Sequence, residues 1–222
     1  MFSKIREAGL GYSLQILFNR VIPCRLFRCR RFLILELPAP PPPAPLAAQD
    51  LIFRWAETPE EFQQARQLSG VQQLPSAPQV RLAIASINQQ IIGVIWAAAN
   101  IFSESELGLR YELREGDFWF FSTFVDHTHR RRGVYRSLLA FAASELRTER
   151  STSRFWLAIN PHNQRSMQAH LAMGVQPAAH AFSIRTTRLA KIRTTPCGDY
   201  HLESLRKGTW NCWKKPLLVK IP

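Results

Sequence analysis

The segment DFWFFSTFV, residues 117–125, constrains the fold of this chain more than any other stretch. It is mostly apolar and does not alternate, so it asks for burial on both faces, as in a central strand covered by other elements. A short polar turn, DHTH, comes next, and Arg130, Arg131, Arg132 and Gly133 follow at once. Tyr135, Leu138, Leu139, Ala142 and Leu146 then recur at the offsets of a single helix face. A buried strand, a basic turn and an amphipathic helix in direct succession call for a layered α/β unit.

The flanking segments supply the other layers. LIFRWA from residue 51 reads as a strand, and TPEEFQQARQL as a helix with Thr58 as N-cap, Pro59 in the first turn and Glu61 closing a capping box. RLAIASI, the turn NQQ and IIGVIWAAA form a hairpin. RFWLAI (154–159) is a further strand, NPHNQRSMQAHLAMG (160–174) a helix stopped by Gly174, and AHAFSIRTTRL a strand after it. Ahead of these, residues 1–37 form a basic N-terminal segment ending in a short strand, RFLILEL. Ile5, Leu10, Leu14, Leu17, Phe18, Val21 and Ile22 stand at near-helical spacing within it. Two readings of this segment stay open: a foot on an anionic membrane through residues 1–31, or a helix packed on the protein's own core. Residues 38–50 contain PAPPPPAP, read as an extended spacer. The compact domain is therefore expected over 51–190, with a basic C-terminal extension over 191–222.

The chain carries 29 Lys and Arg against 16 Asp and Glu, a formal net charge of +13. Such a surplus favours anionic partners without choosing among nucleic acid, membrane and phosphorylated ligand. No helix-turn-helix or RNA-binding signature is present, and the basic residues are scattered, so no specific nucleic acid is expected. No run reaches the ~20 apolar residues of a spanning helix. Cys24, Cys29, Cys197 and Cys212 form neither a CxxC nor a zinc pattern, which fits reduced thiols in a cytoplasmic protein, peripheral to a membrane if the N-terminal foot is real. His127 and His129 form an H-x-H inside the basic turn, and no metal is assigned to them.

A helix N-terminus already carries partial positive charge, so three arginines beside one are costly unless an anion lies among them. Gly133 lets the backbone approach that anion closely, and the arginines add bidentate phosphate donors. A phosphate or diphosphate site and a solvated basic turn are both compatible with this stretch alone. In the later helix, Asn163, Ser166, His170 and Gly174 stand at offsets 0, 3, 7 and 11, roughly on one side.

The pair of segments VDHTHRRRGVYRSLL and N-x-x-S-x-x-x-H-x-x-x-G, in that order and separated by a strand, resembles the two signature motifs of the GNAT superfamily of N-acetyltransferases. The resemblance covers about residues 51–188 and is specific over 117–175. It implies a mixed, mostly antiparallel central sheet flanked by helices, acetyl-CoA as acyl donor and an amine acceptor that the sequence does not name. It also implies that the donor's pantetheine arm pairs with backbone at Phe124 and Val125, and its diphosphate with Arg130, Arg131, Arg132, Gly133, Val134, Tyr135 and Arg136. Asn163 and Ser166 are implied to contact the arm, and His170 stands where many relatives carry a tyrosine that protonates the departing thiolate. The sequence departs from the family pattern at Tyr135, in place of a small residue, and at His170 itself. Tyr135 fits the apolar helix face, and His170 reads either as a general acid or as a histidine satisfied by a neighbour. For the general base, Glu112, Glu115, Asp117 and Asp126 lie near the ends of the central strand, and none has a distinguishing spacing. Trp96, Trp119 and Trp156 read as core residues or as pocket walls. Two other readings stand beside the acyltransferase: a scaffold that keeps the fold without turnover, and a protein that binds nucleic acid through its basic surface.

Overall fold

A computed structural model of the chain describes residues 21–22, 26–37, 39–43, 50–71, 80–104, 109–149, 154–186, 189–197, 211–212 and 217–220. The expected N-terminal amphipathic helix lies outside these residues, apart from its last two positions. None of the described helices is long and apolar enough to cross a membrane.

The strands are β1 (Phe27–Leu37), β2 (Ile52–Trp55), β3 (Val80–Ile87), β4 (Gln90–Ala99), β5 (Ile101–Glu104), β6 (Leu109–Glu112), β7 (Phe118–Val125), β8 (Phe155–Ile159), β9 (Gln176–Thr186), β10 (Leu189–Pro196), β11 (Asn211–Cys212) and β12 (Leu217–Lys220). The helices are α1 (Pro59–Ser69), α2 (Val134–Glu149) and α3 (Gln164–Leu171). Nine strands form one sheet in the order β11-β10-β9-β1-β8-β7-β4-β3-β2, and β12-β6-β5 form a second, smaller one. Among the described residues every pairing in the large sheet is antiparallel except β7 with β8, so the sheet is mixed and mostly antiparallel, as expected.

Local chemistry accounts for the elements. In α1 the Thr58 hydroxyl accepts from the Glu61 amide at 3.3 Å, and the Glu61 carboxylate accepts from the Thr58 amide at 3.3 Å, which completes the capping box. The β3–β4 hairpin turns on Asn88 and Gln89, both at positive φ, a conformation that suits the twist of the flanking strands. The apolar face of α2 lies on one side of the sheet, where Leu138, Leu139, Ala142 and Leu146 are wholly buried. Gly93 on β4 makes that contact close: a Cβ added there would meet both Ala85 Cβ and Val134 Cγ1 at 3.4 Å. On the other side, Ala65 and Phe62 of α1 cover Leu82, Ile84 and Trp96.

Three expectations change. The compact domain does not begin after the prolines. β1 lies inside the sheet, antiparallel to β8 and to β9, with Leu33, Leu35 and Leu37 buried on the α2 side and Phe32 and Ile34 on the other. A strand that apolar on both faces has no stable place outside a covered sheet. The proline stretch is docked rather than free: Pro41 is buried, and Arg136 Nε donates to the Pro42 carbonyl at 2.8 Å. The C-terminal extension also joins the sheets, β10 pairing with β9 and β12 running parallel to β6.

Replacing Gly93 with valine puts two methyl groups into the seam between β4 and α2. Overpacking of this kind costs about 1–3 kcal/mol, and urea denaturation should show the loss as a lower midpoint with an unchanged slope.

Candidate active site

β7 opens partway along its length. Its parallel pairing with β8 covers Phe118 with Phe155, Trp119 with Trp156 and Phe120 with Leu157, and stops there. The start of that pairing is fastened by Asp117, whose carboxylate accepts from the Arg154 amide and from Trp156 Nε1, each at 3.1 Å. Beyond Phe120 the two strands part. On the β4 side the register slips between Val94 and Trp96, so Ser122 and Thr123 together face Ile95. Ser122 takes φ +45° in this bulge. A bulge turns the following residues over. Phe121 packs on the α1 side, and after the bulge Phe124 does so while Val125 packs on the α2 side. The expectation of a strand buried along its whole length therefore holds only for Phe118–Phe120, and Ser122 and Thr123 are exposed.

A cleft of about 490 Å³ occupies the gap on the α2 side. Ser122 to Val125 form one wall, and Arg130, Tyr135, Ser166 and His170 form the other. At its end lies the basic turn. Asp126 caps a short 3₁₀ turn, His127–His129, by accepting from the Thr128 amide at 2.8 Å. These bonds to Thr128, foremost among its interactions, hold the Asp126 carboxyl down at about 2. Arg131 and Gly133 both take positive φ, +65° and +81°, which brings the chain sharply into α2. The Ser137 amide bonds to the Gly133 carbonyl at 3.0 Å, so Val134, Tyr135 and Arg136 form the first turn, whose amides have no acceptor within the helix. That turn carries no acidic residue, and Arg130, Arg131 and Arg132 are exposed around it.

The side chains of this region are partly committed. Arg130 Nε donates to the Val125 carbonyl at 2.9 Å, tying the turn to the strand before it. Arg136 holds Pro42, as described above. Asn163 is the N-cap of α3: its side-chain oxygen accepts from the Ser166 amide at 3.3 Å, and it does not line the cleft, whereas Ser166 does. α3 is shorter than the predicted 160–174 helix, and Gly174 lies beyond it at φ +79°.

Tyr135 and His170 meet, a contact that a separation of 35 residues in sequence does not reveal. His170 Nδ1 lies 2.6 Å from the Ser166 carbonyl, which can only accept, so Nδ1 carries the proton. Nε2 then accepts from the Tyr135 hydroxyl at 2.6 Å, and the two rings pack edge to face. Burial pushes the His170 imidazole below its ordinary range and the Tyr135 phenol above its own, so the pair is neutral and shares one O–H···N bond. Tyr135 thus packs its ring on the core, as its place on the apolar helix face implies, and its hydroxyl faces His170.

None of the four candidate bases lines the cleft. Asp117 is buried at the opposite end of β7, where burial raises its pKa and two hydrogen bonds fix it as a structural fastener. Asp126 is taken up by its cap, and Glu112 and Glu115 are exposed beside the second sheet. Trp96, Trp119 and Trp156 are core residues, although Trp119 also forms part of a second cavity. No group of three or more metal-ligating side chains occurs among the described residues. Cys29 and Cys197 are in no disulfide.

Residues 46–175 match the model of the acetyltransferase (GNAT) family, more than half of the chain, and the protein belongs to that family. No curated protein sequence matches it. Among solved structures it is similar to a GCN5-related N-acetyltransferase from Kribbella flavida, at 15% identity and a TM-score of 0.49, covering 86% of this chain and 65% of that one. It is also similar to an acetyltransferase assigned to the GNAT family from Novosphingobium aromaticivorans, at 10% identity and TM-score 0.46, covering 77% and 66%. A third, AAC(6')-Iy in complex with the bisubstrate analogue CoA-S-monomethyl-acetylneamine, is 19% identical with TM-score 0.40, covering 56% and 89%. The chain spans just under two thirds of the length of the first two structures.

His170 sets a pH dependence. Its folded pKa lies below the ordinary 6.5, so as pH falls through that value the unfolded chain takes up a proton that the folded chain refuses. The stability this contributes is present above pH ~6.5 and is lost on the acid side. Melting temperature should therefore fall from pH 7.5 to 5.5, and His170→Gln, which can still accept from Tyr135 but does not titrate there, should flatten that fall.

Proposed function

We propose that the chain transfers an acetyl group from acetyl-CoA to an amine by direct attack in a ternary complex. The observation that carries this reading is the parted strand. A row of backbone groups on Ser122–Val125 has lost its β8 partner and points along a cleft that ends at the open amides of α2. An extended amide-bearing arm fits the strand edge, and a diphosphate fits the amides of Val134 to Arg136 with Arg131 and Arg132 around it. Arg130 and Arg136 contribute chiefly by shaping the turn, since each spends a donor on a carbonyl. When bound, the thioester supplies an activated acyl carbon.

The chain's own residues then orient the reactants and manage a proton. Ser166, His170 and Tyr135 line the same cleft, which supports a role for their side chains beside the thioester. His170 acts through Tyr135: its Nε2 accepts the phenol's O–H and holds the ring in place, and during transfer that O–H leaves Nε2 for the departing sulfur. The phenol proton passes to the thiolate, and the phenolate regains one released from the acylated amine. Burial raises the phenol's pKa, which keeps it in the protonated form that can donate. An acceptor that arrives as an ammonium first gives one proton to water, because no carboxylate among the described residues lines the cleft, and attacks as the neutral amine.

Two experiments test these roles. Calorimetric titration with CoA should give saturable binding, weakened about tenfold or more in Arg131→Ala/Arg132→Ala through loss of charge-assisted hydrogen bonds. Unaltered affinity in that variant would remove the diphosphate assignment. Tyr135→Phe should lower kcat by about 10²-fold with little change in the KM for acetyl-CoA. An equal effect on both would mark Tyr135 as a binding residue only.

A further inference from the structure

A second cavity, of about 450 Å³, opens beside the C-terminal end of α1, whose Ser69 and Gly70 line it together with Phe102 and Trp119. Phe120, Phe121, Ser122, Ala158 and Ile159 line both this cavity and the cleft, so the two meet where the strands part. The last β7–β8 pair is Phe120 with Leu157, and the next β8 residue, Ala158, is exposed and has only a methyl group to put into the gap.

Of the five residues common to both spaces, only Ser122 carries a polar side chain. Ser122 is exposed, and its hydroxyl has no partner among the described residues. The neighbouring hydroxyls are committed. Ser69 donates to the Ala65 carbonyl and accepts from Trp96 Nε1 at 3.0 Å, and Tyr135 is bonded to His170. Thr123, the other residue of the bulge, lines the cleft and not the second cavity. Ser122 also stands at φ +45°, a conformation that costs a serine what it would not cost a glycine. The register slip opposite Ile95 imposes that conformation, and the side chain held there at a cost is one that can hydrogen-bond.

We infer that Ser122 is a catalytic residue of the transfer: its Oγ accepts an N–H of an amine that arrives through the second cavity and aims the nitrogen lone pair at the thioester carbon in the cleft. The inference rests on the acetyl-transfer reading above. Holding one N–H fixes the direction of attack, and alignment of reactants is a large source of rate. The N–C bond forms and the C–S bond breaks, while the protons move by way of Tyr135 as described. Ser122 is neither acylated nor ionised, since no base among the described residues touches its hydroxyl to make it a nucleophile.

The full chain carrying Ser122→Cys tests the placement without any acceptor. A thiolate at that position attacks the same carbon: its sulfur bonds to the acetyl group, the bond to the CoA sulfur breaks, and CoA leaves as the thiol. Peptide mapping after incubation with acetyl-CoA should find that position acetylated about tenfold or more faster than Cys29 and Cys197 of the same chain, with desulfo-CoA suppressing the difference. The role of the hydroxyl is read by kinetics with whichever of phenethylamine, L-phenylalanine and spermidine the unaltered protein acetylates fastest. Ser122→Ala, which keeps the strain, and Ser122→Gly, which relieves it, should both lower kcat about tenfold with the KM for acetyl-CoA unchanged. Ser122→Gly should melt no lower than the unaltered protein, so its loss of rate is not a loss of fold. Ser122→Asn, which suits positive φ and offers an oxygen acceptor, should recover part of the rate. If none of the three amines is acetylated, the thiol readout alone decides. Labelling no faster than at Cys29 and Cys197 with CoA bound, or Ser122→Ala equal to the unaltered protein in kcat, would overturn the assignment. Absence of CoA binding would instead overturn the transferase reading on which it rests.

Discussion

The structure depends on a parallel strand pair that is fastened at one end and released at the other. Asp117 ties Arg154 and Trp156 to the start of β7, and the bulge at Ser122 ends the pairing three residue pairs later. Backbone hydrogen-bonding groups are normally satisfied in a sheet. Here a run of them is left at the floor of a cleft, and the cost is acceptable only because water or a ligand can reach them. The cleft, the second cavity and the opening between them all follow from that one divergence.

The N-terminal strand bears on both sides of this arrangement. β1 pairs along the whole of β8 and continues past it beside β9, where Arg30 and Arg31 border the second cavity. The region matching the family begins only at residue 46. The strand that borders the second cavity therefore lies outside the matched region. The docked prolines, held through Pro42 by Arg136, join that strand to the rest beside the first turn of α2.

Much of the fold was legible because its signals are local. The capping box of α1, the β3–β4 turn and the buried face of α2 are each written within a dozen residues, and each stands where expected. The basic turn is visible in the sequence, where its arginines and glycine fit either an anion site or a solvated turn. Nonlocal features were not legible. RFLILEL reads as a short strand but does not say which strands flank it, and the prolines after it suggest a boundary that the pairing contradicts. The bulge leaves no mark in FWFFSTFV. Tyr135 and His170 were each conspicuous as departures, yet only the packing of α2 against α3 makes them a bonded pair. Asn163, expected at the ligand, is spent on a helix cap that its position just before an eight-residue helix explains.

The measurement that bears most directly on the central claim is amide hydrogen exchange with and without CoA. If the parted strand and the first turn of α2 form the donor site, exchange should slow at Thr123–Val125 and at Val134–Arg136 on adding CoA, while β2 and β3 stay unchanged. Full occupancy of CoA with no slowing in those two stretches would contradict the account.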